Sequence, residues 1–418
     1  MRKLFLLILL AIYVSSCTND LGTSEVTYTK ASAVYGNIEE VRATPMVSSS
    51  EAINNPGKIF ITENSLFIGE EQKGIHVFDN SDPTDPKPMY FMNIPGNREF
   101  FVQDGNIYAE SYYDMLKIDI TNLNQPRISD RVENYLNSRL IDDNGEAVIG
   151  FDFETITRDI SNDDYTFWEE FHQDDYVYYD YKNTVIPQSA IPVSFAGSGN
   201  NNSGSVNRIT KAKDHVYLVH LDKISVFSDV DGFDILETKF EFFGMETIYP
   251  QEDKIFIGAR QSVLIYDISQ PENPQFFSSF QHGEACDPVY PFDEVAYLTL
   301  RSGDDDLCPG EENALVALDI REIIFPQSTK TIEMESPYGL SVIGDKLYVG
   351  EGTNGMKIFD ISDKFQPQLI KTIEGISVFD VITHPTDENM MLLAGPDGFG
   401  QFEIEENLDL TEVSWIAY

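Results

Sequence analysis

The stretch Leu264-Ile265-Tyr266-Asp267-Ile268-Ser269-Gln270-Pro271-Glu272-Asn273-Pro274 decides the fold, because the chain repeats its pattern. An apolar strand ends in Asp, Ile or Asn follows, Ser or Thr often comes next, and Pro stands at the seventh residue past the Asp. The pattern returns as Ile75–Asp79 with Pro86, Leu116–Asp119 with Pro126, Val316–Asp319 with Pro326, and Lys357–Asp360 with Pro367. A sixth copy, Ile224–Ser228, has Ser in place of the Asp and lacks the Pro. About 14 residues before most of these anchors a polar turn leads into another apolar strand, as in Asp253-Lys254-Ile255-Phe256-Ile257. A seventh turn, Glu388-Asn389-Met390-Met391-Leu392, runs into Phe399–Ile404 without an Asp. Successive anchors lie 40, 109, 39, 52 and 41 residues apart. The period is therefore about 40, the size of a four-stranded propeller blade. A blade cannot bury both sheet faces alone, so blades stack radially. The fold class read from this is all-β, a β-propeller of seven four-stranded blades, with six or eight left open by the 109-residue interval.

Each residue of the pattern has a physical task. The Asp side chain accepts N–H groups of the following turn. The Pro falls at the start of the fourth strand, where no ladder donor is lost. The anchors Asp79, Asp119, Asp267, Asp319 and Asp360 mark the turns between third and fourth strands. This recurring Asp-Ile-Ser/Thr line resembles the LVIVD-repeat family of bacterial β-propellers, over roughly residues 55–130 and 206–375. The resemblance implies an exported or surface lipoprotein of a Gram-negative bacterium, and it implies no reaction.

The chain of 418 residues carries 28 Lys and Arg against 70 Asp and Glu, a net charge of −42. Such a charge repels phosphate backbones and excludes nucleic acid as a partner. Hydrophobic residues at 42 % supply a large core.

Arg2 and Lys3 precede an apolar run from Leu4 to Val14, followed by Ser15-Ser16-Cys17. Eleven apolar residues are too few to span a bilayer and fit a secretory signal. Val14-Ser15-Ser16-Cys17 resembles the bacterial lipobox, which implies a signal peptide over 1–16 and acyl chains on Cys17 as the one membrane attachment. Thr18 after the cysteine implies the outer membrane, facing the periplasm or the surface. Residues 17–53 are expected to be a lipidated tether, and 54–418 the propeller, with a long insertion at about 131–205.

The two other cysteines, Cys286 and Cys308, are expected to form a disulfide. An exported compartment permits it, and in an antiparallel blade the start of strand one and the loop between strands two and three share one end. The histidines show no zinc spacing, since His215 and His220 on one strand point to opposite faces. No nucleophile elbow, phosphate loop or dinucleotide fingerprint occurs, so no cofactor is expected. Acidic clusters at 142–146, 229–234 and 304–306 offer calcium ligands, but a solvated acidic surface explains them as well.

Residues 163–181 hold eight aromatics and seven acids without a Lys or Arg. They form either a recognition platform or a plug on the propeller. Trp168, Tyr176, Tyr178 and Tyr179 are the candidate anchors of a binding face. The insertion and the expanded loop around Cys308 fall at the same end of the blades. The expected function is non-catalytic binding or scaffolding of a protein or glycan at the outer membrane or cell surface. The alternative is a propeller lyase or hydrolase using carboxylates or calcium at the channel mouth. An enzyme of that kind would gather ionisable residues from several innermost strands; Phe100-Phe101-Val102 and Leu340-Ser341-Val342-Ile343 are mostly apolar.

Overall fold

A computed structural model of the chain describes residues 23–135, 141–142, 144–161, 171–172, 177–180, 207–220, 223–240, 244–285, 288–302, 310 and 312–418. Seven antiparallel blades follow one another along the chain, each with its strands in sequence order from the innermost outward. They cover residues 56–93, 100–132, 209–240, 245–281, 289–333, 340–373 and 380–417. The two middle strands of a blade are buried on both faces, as in Val216-Tyr217-Leu218-Val219, because a neighbouring blade covers each side. That double burial replaces strict alternation by continuous apolar runs. Seven hydrophobic clusters fill the seven interfaces between neighbouring blades, each drawing on two blades.

The repeat's residues do what their chemistry predicts. Oδ1 of Asp79, Asp119, Asp267, Asp319 and Asp360 accepts the N–H two residues on, at 2.8–3.0 Å. Ser228 is the weak copy, with Val230 N–H 3.4 Å from its Oγ. The outer strands begin at Lys87, Arg127, Gln275, Gln327 and Gln368, each the residue after the repeat's Pro. In every blade a bulge interrupts the pairing of the third and fourth strands just before the anchor position. Such a bulge strengthens the twist of the outer edge. Gly355 opens the third strand of blade six with φ +94°, and a Cβ there would lie 1.9 Å from the Ile373 carbonyl oxygen.

The residue after the anchor shows how the ring closes. Ile120, Ile268, Ile320 and Ile361 pack into the interface with the preceding blade. Blade one has Asn80 there, facing blade seven. Its side-chain amide exchanges two 2.9 Å hydrogen bonds with that of Gln401, and both residues are buried. Gln401 Nε2 also donates to the Pro83 carbonyl and Ser414 Oγ, both at 3.1 Å. No strand is exchanged across this seam. Each end blade is complete in itself, so packing and side-chain polar contacts, the Asn80–Gln401 pair among them, hold the ring shut.

Residues 36–53 were expected within the tether, and the structure places them on the propeller. Val47–Ser48 adds a fifth strand to blade one. The short helix Ile38–Arg42 is capped by Asn37 and docks on blade two. There the Arg42 guanidinium grips the buried Asp114 carboxylate through two bonds of 2.7 and 2.8 Å. Asp114 also accepts from Arg131 at 2.7 Å and from the Asn134 N–H at 3.0 Å.

A second unit combines residues up to Tyr35 with part of the insertion. Its sheet runs Glu146–Ser161, Thr23–Asn37, Val177–Asp180, Phe171–His172. Thr29–Ser32 pairs in parallel with Val177–Asp180. No helix among the described residues is long and apolar enough to cross a membrane.

Candidate functional site at the channel mouth

The innermost strands enclose a central cavity of about 440 Å³. All seven contribute to its wall, through Ile61, Phe101, Thr210, Pro250, Tyr290, Ser341 and Thr383 among others. The wall is apolar with a few hydroxyl and amide groups, the usual make-up of a small-ligand pocket. Among the described residues its one cation, Lys211, is committed elsewhere: Nζ donates to Asp229 at 2.8 Å and to the Tyr108 hydroxyl at 3.0 Å. Lys117 joins the same Asp229 carboxylate at 2.5 Å, so that acid is neutralised by two lysines.

Where the innermost strands begin, ionisable residues gather. Lys58, Glu99, Arg208, Glu246 and Asp380 stand within or directly before the first residues of five of these strands. The ends of the neighbouring second strands add Glu110, His220, Arg260 and Arg301, and the link into blade two adds Arg98. Lys58 is 4 % exposed and Asp380 fully buried. Lys58 Nζ stands 3.7 Å from Glu99 Oε2, and Arg260 Nε 3.5 Å from Glu246 Oε1. The Arg301 guanidinium lies over the Tyr338 ring at 4.4 Å, and Tyr338 in turn packs on Phe379.

Arg208 is the electrostatic hub. Its charge bears on Lys58, Arg98, Glu110, His220 and Glu246, which belong to blades one to four and the link between the first two. Among the described residues its one polar contact is from Nε to the Glu246 carbonyl at 3.3 Å, and it forms no ion pair. The guanidinium is thus half-buried with its fork unmatched. Three further polar atoms here are buried without a hydrogen bond among the described residues: Glu99 Oε2, Asn207 Oδ1 and His220 Nε2. Asn207 also lines the cavity. Buried polar groups are almost always satisfied, so this concentration singles out the mouth.

Burial shapes the protonation of the group. It pushes Glu110 up to about 6, although the Tyr135 hydroxyl donates to its Oε1 at 2.7 Å. Burial also raises Glu246 and lowers Lys58. His220, 4.0 Å from Glu110 Oε1, is held well below its ordinary value by burial and by the Lys223 and Arg208 charges, so it stays neutral at pH 7.

The residues singled out from the sequence fare unevenly. Cys17, Cys286, Cys308, Trp168 and Tyr176 lie outside the described residues. Tyr178 and Tyr179 belong to the strand Val177–Asp180, opposite Lys30 and Ala31. The five Asp anchors hold turns at the blade end opposite the mouth. Most histidines have local partners: His76 Nε2 lies 3.0 Å from the buried Glu70, and His215 Nδ1 2.8 Å from the Lys213 carbonyl. Among the described residues no three His, Cys, Asp or Glu side chains come together as a metal site.

The LVIVD repeat model matches residues 338–374, the sixth blade with its Asp360 turn. The chain carries an LVIVD repeat. No curated protein matches the chain. Among solved structures, the periplasmic gluconolactonase PpgL of Pseudomonas aeruginosa is similar, with a TM-score of 0.55 and 10 % identity over 85 % of this chain and 96 % of that one. The computationally designed protein Ika8 gives 0.52 at 10 % identity, covering 87 % of each chain. At such identity the likeness is one of fold alone, and it agrees with an LVIVD repeat being one blade of a ring.

Proposed function

We propose that the protein is an exported, lipid-anchored binding protein of the outer membrane that takes a small polar ligand at the channel mouth. One observation carries this reading: among the described residues Arg208 forms no ion pair, Glu99 Oε2, Asn207 Oδ1 and His220 Nε2 are buried without hydrogen bonds, and Asn207 lines the 440 Å³ cavity. An unpaired buried polar group costs about 1–3 kcal/mol, and a ligand that satisfies several recovers that cost on binding. The lipobox-like Val14–Cys17 supports the anchor and the exported location. The test is thermal denaturation of the full chain in detergent against small anions, cations, zwitterions and neutral sugars. At least one class should raise the midpoint saturably, and E246Q or N207A should diminish the effect. No response to any class refutes the reading.

A second reading, catalysis, is favoured by one feature. Glu110, held at about 6, and the neutral His220 beside it form an acid–base pair next to cations. Turnover of a bound ligand that ends in E110Q, with binding retained, would establish it.

A further inference from the structure

We propose that the ligand of this mouth is a hydroxylated monocarboxylate of the sugar-acid type, its carboxylate on the Arg208 guanidinium and its hydroxyls on Glu99 Oε2 and Asn207 Oδ1. The proposal deepens the reading of the mouth as a small-ligand site and rests on it. A guanidinium offers parallel N–H groups whose spacing matches a carboxylate, and Arg208 has no carboxylate of the protein in that position among the described residues. In a chain of net charge −42 with eleven arginines, four of them (Arg98, Arg208, Arg260 and Arg301) gather around this opening. These cations favour an anion here, against the carboxylates of Glu99, Glu110 and Glu246 beside them.

The acceptors without a hydrogen bond specify the rest of the molecule. Asn207 Oδ1 has no hydrogen-bond donor among the described residues, and Glu99 Oε2 has the Lys58 ammonium at 3.7 Å but no hydrogen bond. An ammonium would supply one, but Lys58 stands 3.7 Å from Glu99 Oε2, and Arg98 and Arg208 are close by, so a further positive charge is repelled. A neutral hydroxyl donates without that cost. A phosphate dianion would bring its second negative charge towards Glu99, Glu246 and Asp380, so one negative charge suits the opening better. Behind the mouth, Ile59, Phe101 and Tyr249 give an apolar wall suited to the C–H face of a sugar ring.

Isothermal titration of the detergent-solubilised full chain tests this with D-glucuronate, D-galacturonate and D-gluconate. The comparison probes are D-glucose, propionate, L-alanine and inorganic phosphate. At least one hydroxy acid should bind at millimolar concentration or below, and glucose and propionate should each bind about 100-fold more weakly, since each lacks one half of the contacts. R208Q should weaken the acid by about 30-fold or more, R208K by less, because an ammonium keeps the charge and loses the fork. N207A, which keeps the charge pattern, should cost about tenfold and serves if R208Q does not fold. Glucose binding as tightly as the acids, or R208Q binding as wild type does, overturns the proposal. Tighter binding of phosphate or alanine, lost in N207A, overturns the ligand class while leaving the mouth as the site. If no probe binds, and none of the four ligand classes raises the thermal midpoint, both fall.

Discussion

The seam between blades seven and one offers the sharpest quantitative prediction. Replacing Gln401 by Leu keeps the volume and removes the partner of Asn80, whose amide oxygen and nitrogen are then both buried without a hydrogen bond. At about 1–3 kcal/mol for each stranded group, the loss is about 3 kcal/mol. Asn80→Ile strands less, because Gln401 Nε2 keeps the Pro83 carbonyl and Ser414 Oγ, and only Oε1 loses its partner. That change should cost about 1–2 kcal/mol. The double variant N80I/Q401L gives the seam the Ile found after the Asp in blades two, four, five and six, and should fall within about 1 kcal/mol of wild type. Entropies of unfolding of about 2 cal/mol/K per residue make 1 kcal/mol worth about 1 °C in a unit of this size. Differential scanning calorimetry should therefore find Q401L about 3–4 °C below wild type and the double variant within about 1 °C of it. A Q401L midpoint equal to wild type, or a double variant that shows the sum of both losses, would refute the idea that this amide pair specifies closure.

Other expectations follow from single features. Cys17→Ala should move the exported protein from the membrane pellet to the soluble fraction with its circular dichroism spectrum unchanged; retention in the pellet after a high-salt wash contradicts lipid as the anchor. Asp267→Ala should cost about 1 kcal/mol in equilibrium unfolding, the usual loss of a capping acceptor, and Ser228→Ala less, since its contact is long. Asp267 is held at about 2 by the Lys254 bond and the Ser269 N–H, Asp119 by Thr121 and Arg127, and Asp360 by Ser362 and Lys346. Folded values below the unfolded value of about 4 mean stability that is complete above pH 4 and lost as pH falls towards 2. The triple Asn variant should show a shallower loss over that window in acid titration followed by fluorescence. Replacing residues 163–181 by a Gly/Ser linker should leave the calorimetric midpoint of the propeller near wild type, because no blade takes a strand from that segment; collapse of the fold would make the aromatics a plug.

The repeat made the ring legible. Asp, Pro and the apolar runs act locally, within one turn and the strands it joins, so their spacing reveals the blade period, while the 109-residue interval leaves six or eight blades open beside seven. The Asn in place of Ile at position 80 was equally visible, yet its meaning depends on Gln401, 321 residues away. The sheet that pairs Thr29–Ser32 with Val177–Asp180 had no such signal, because its segments carry no common period. The docking of Arg42 on Asp114 was hidden for the same reason. The mouth was missed by one residue. The apolar run Phe100-Phe101-Val102 begins directly after Glu99, and Arg208 and Asp380 occupy the corresponding edge of blades three and seven. Scattered between positions 58 and 380, these charges meet only when the ring closes. The signal that could have revealed them is an ionisable residue at the start of successive innermost strands.

The most direct measurement is a crystal structure of the protein soaked to saturation with D-glucuronate. The account predicts one molecule in the mouth, its carboxylate on the Arg208 guanidinium and its hydroxyls on Glu99 and Asn207. An empty mouth with the acid bound elsewhere, or an Arg208 paired to a carboxylate of the protein itself, would contradict it.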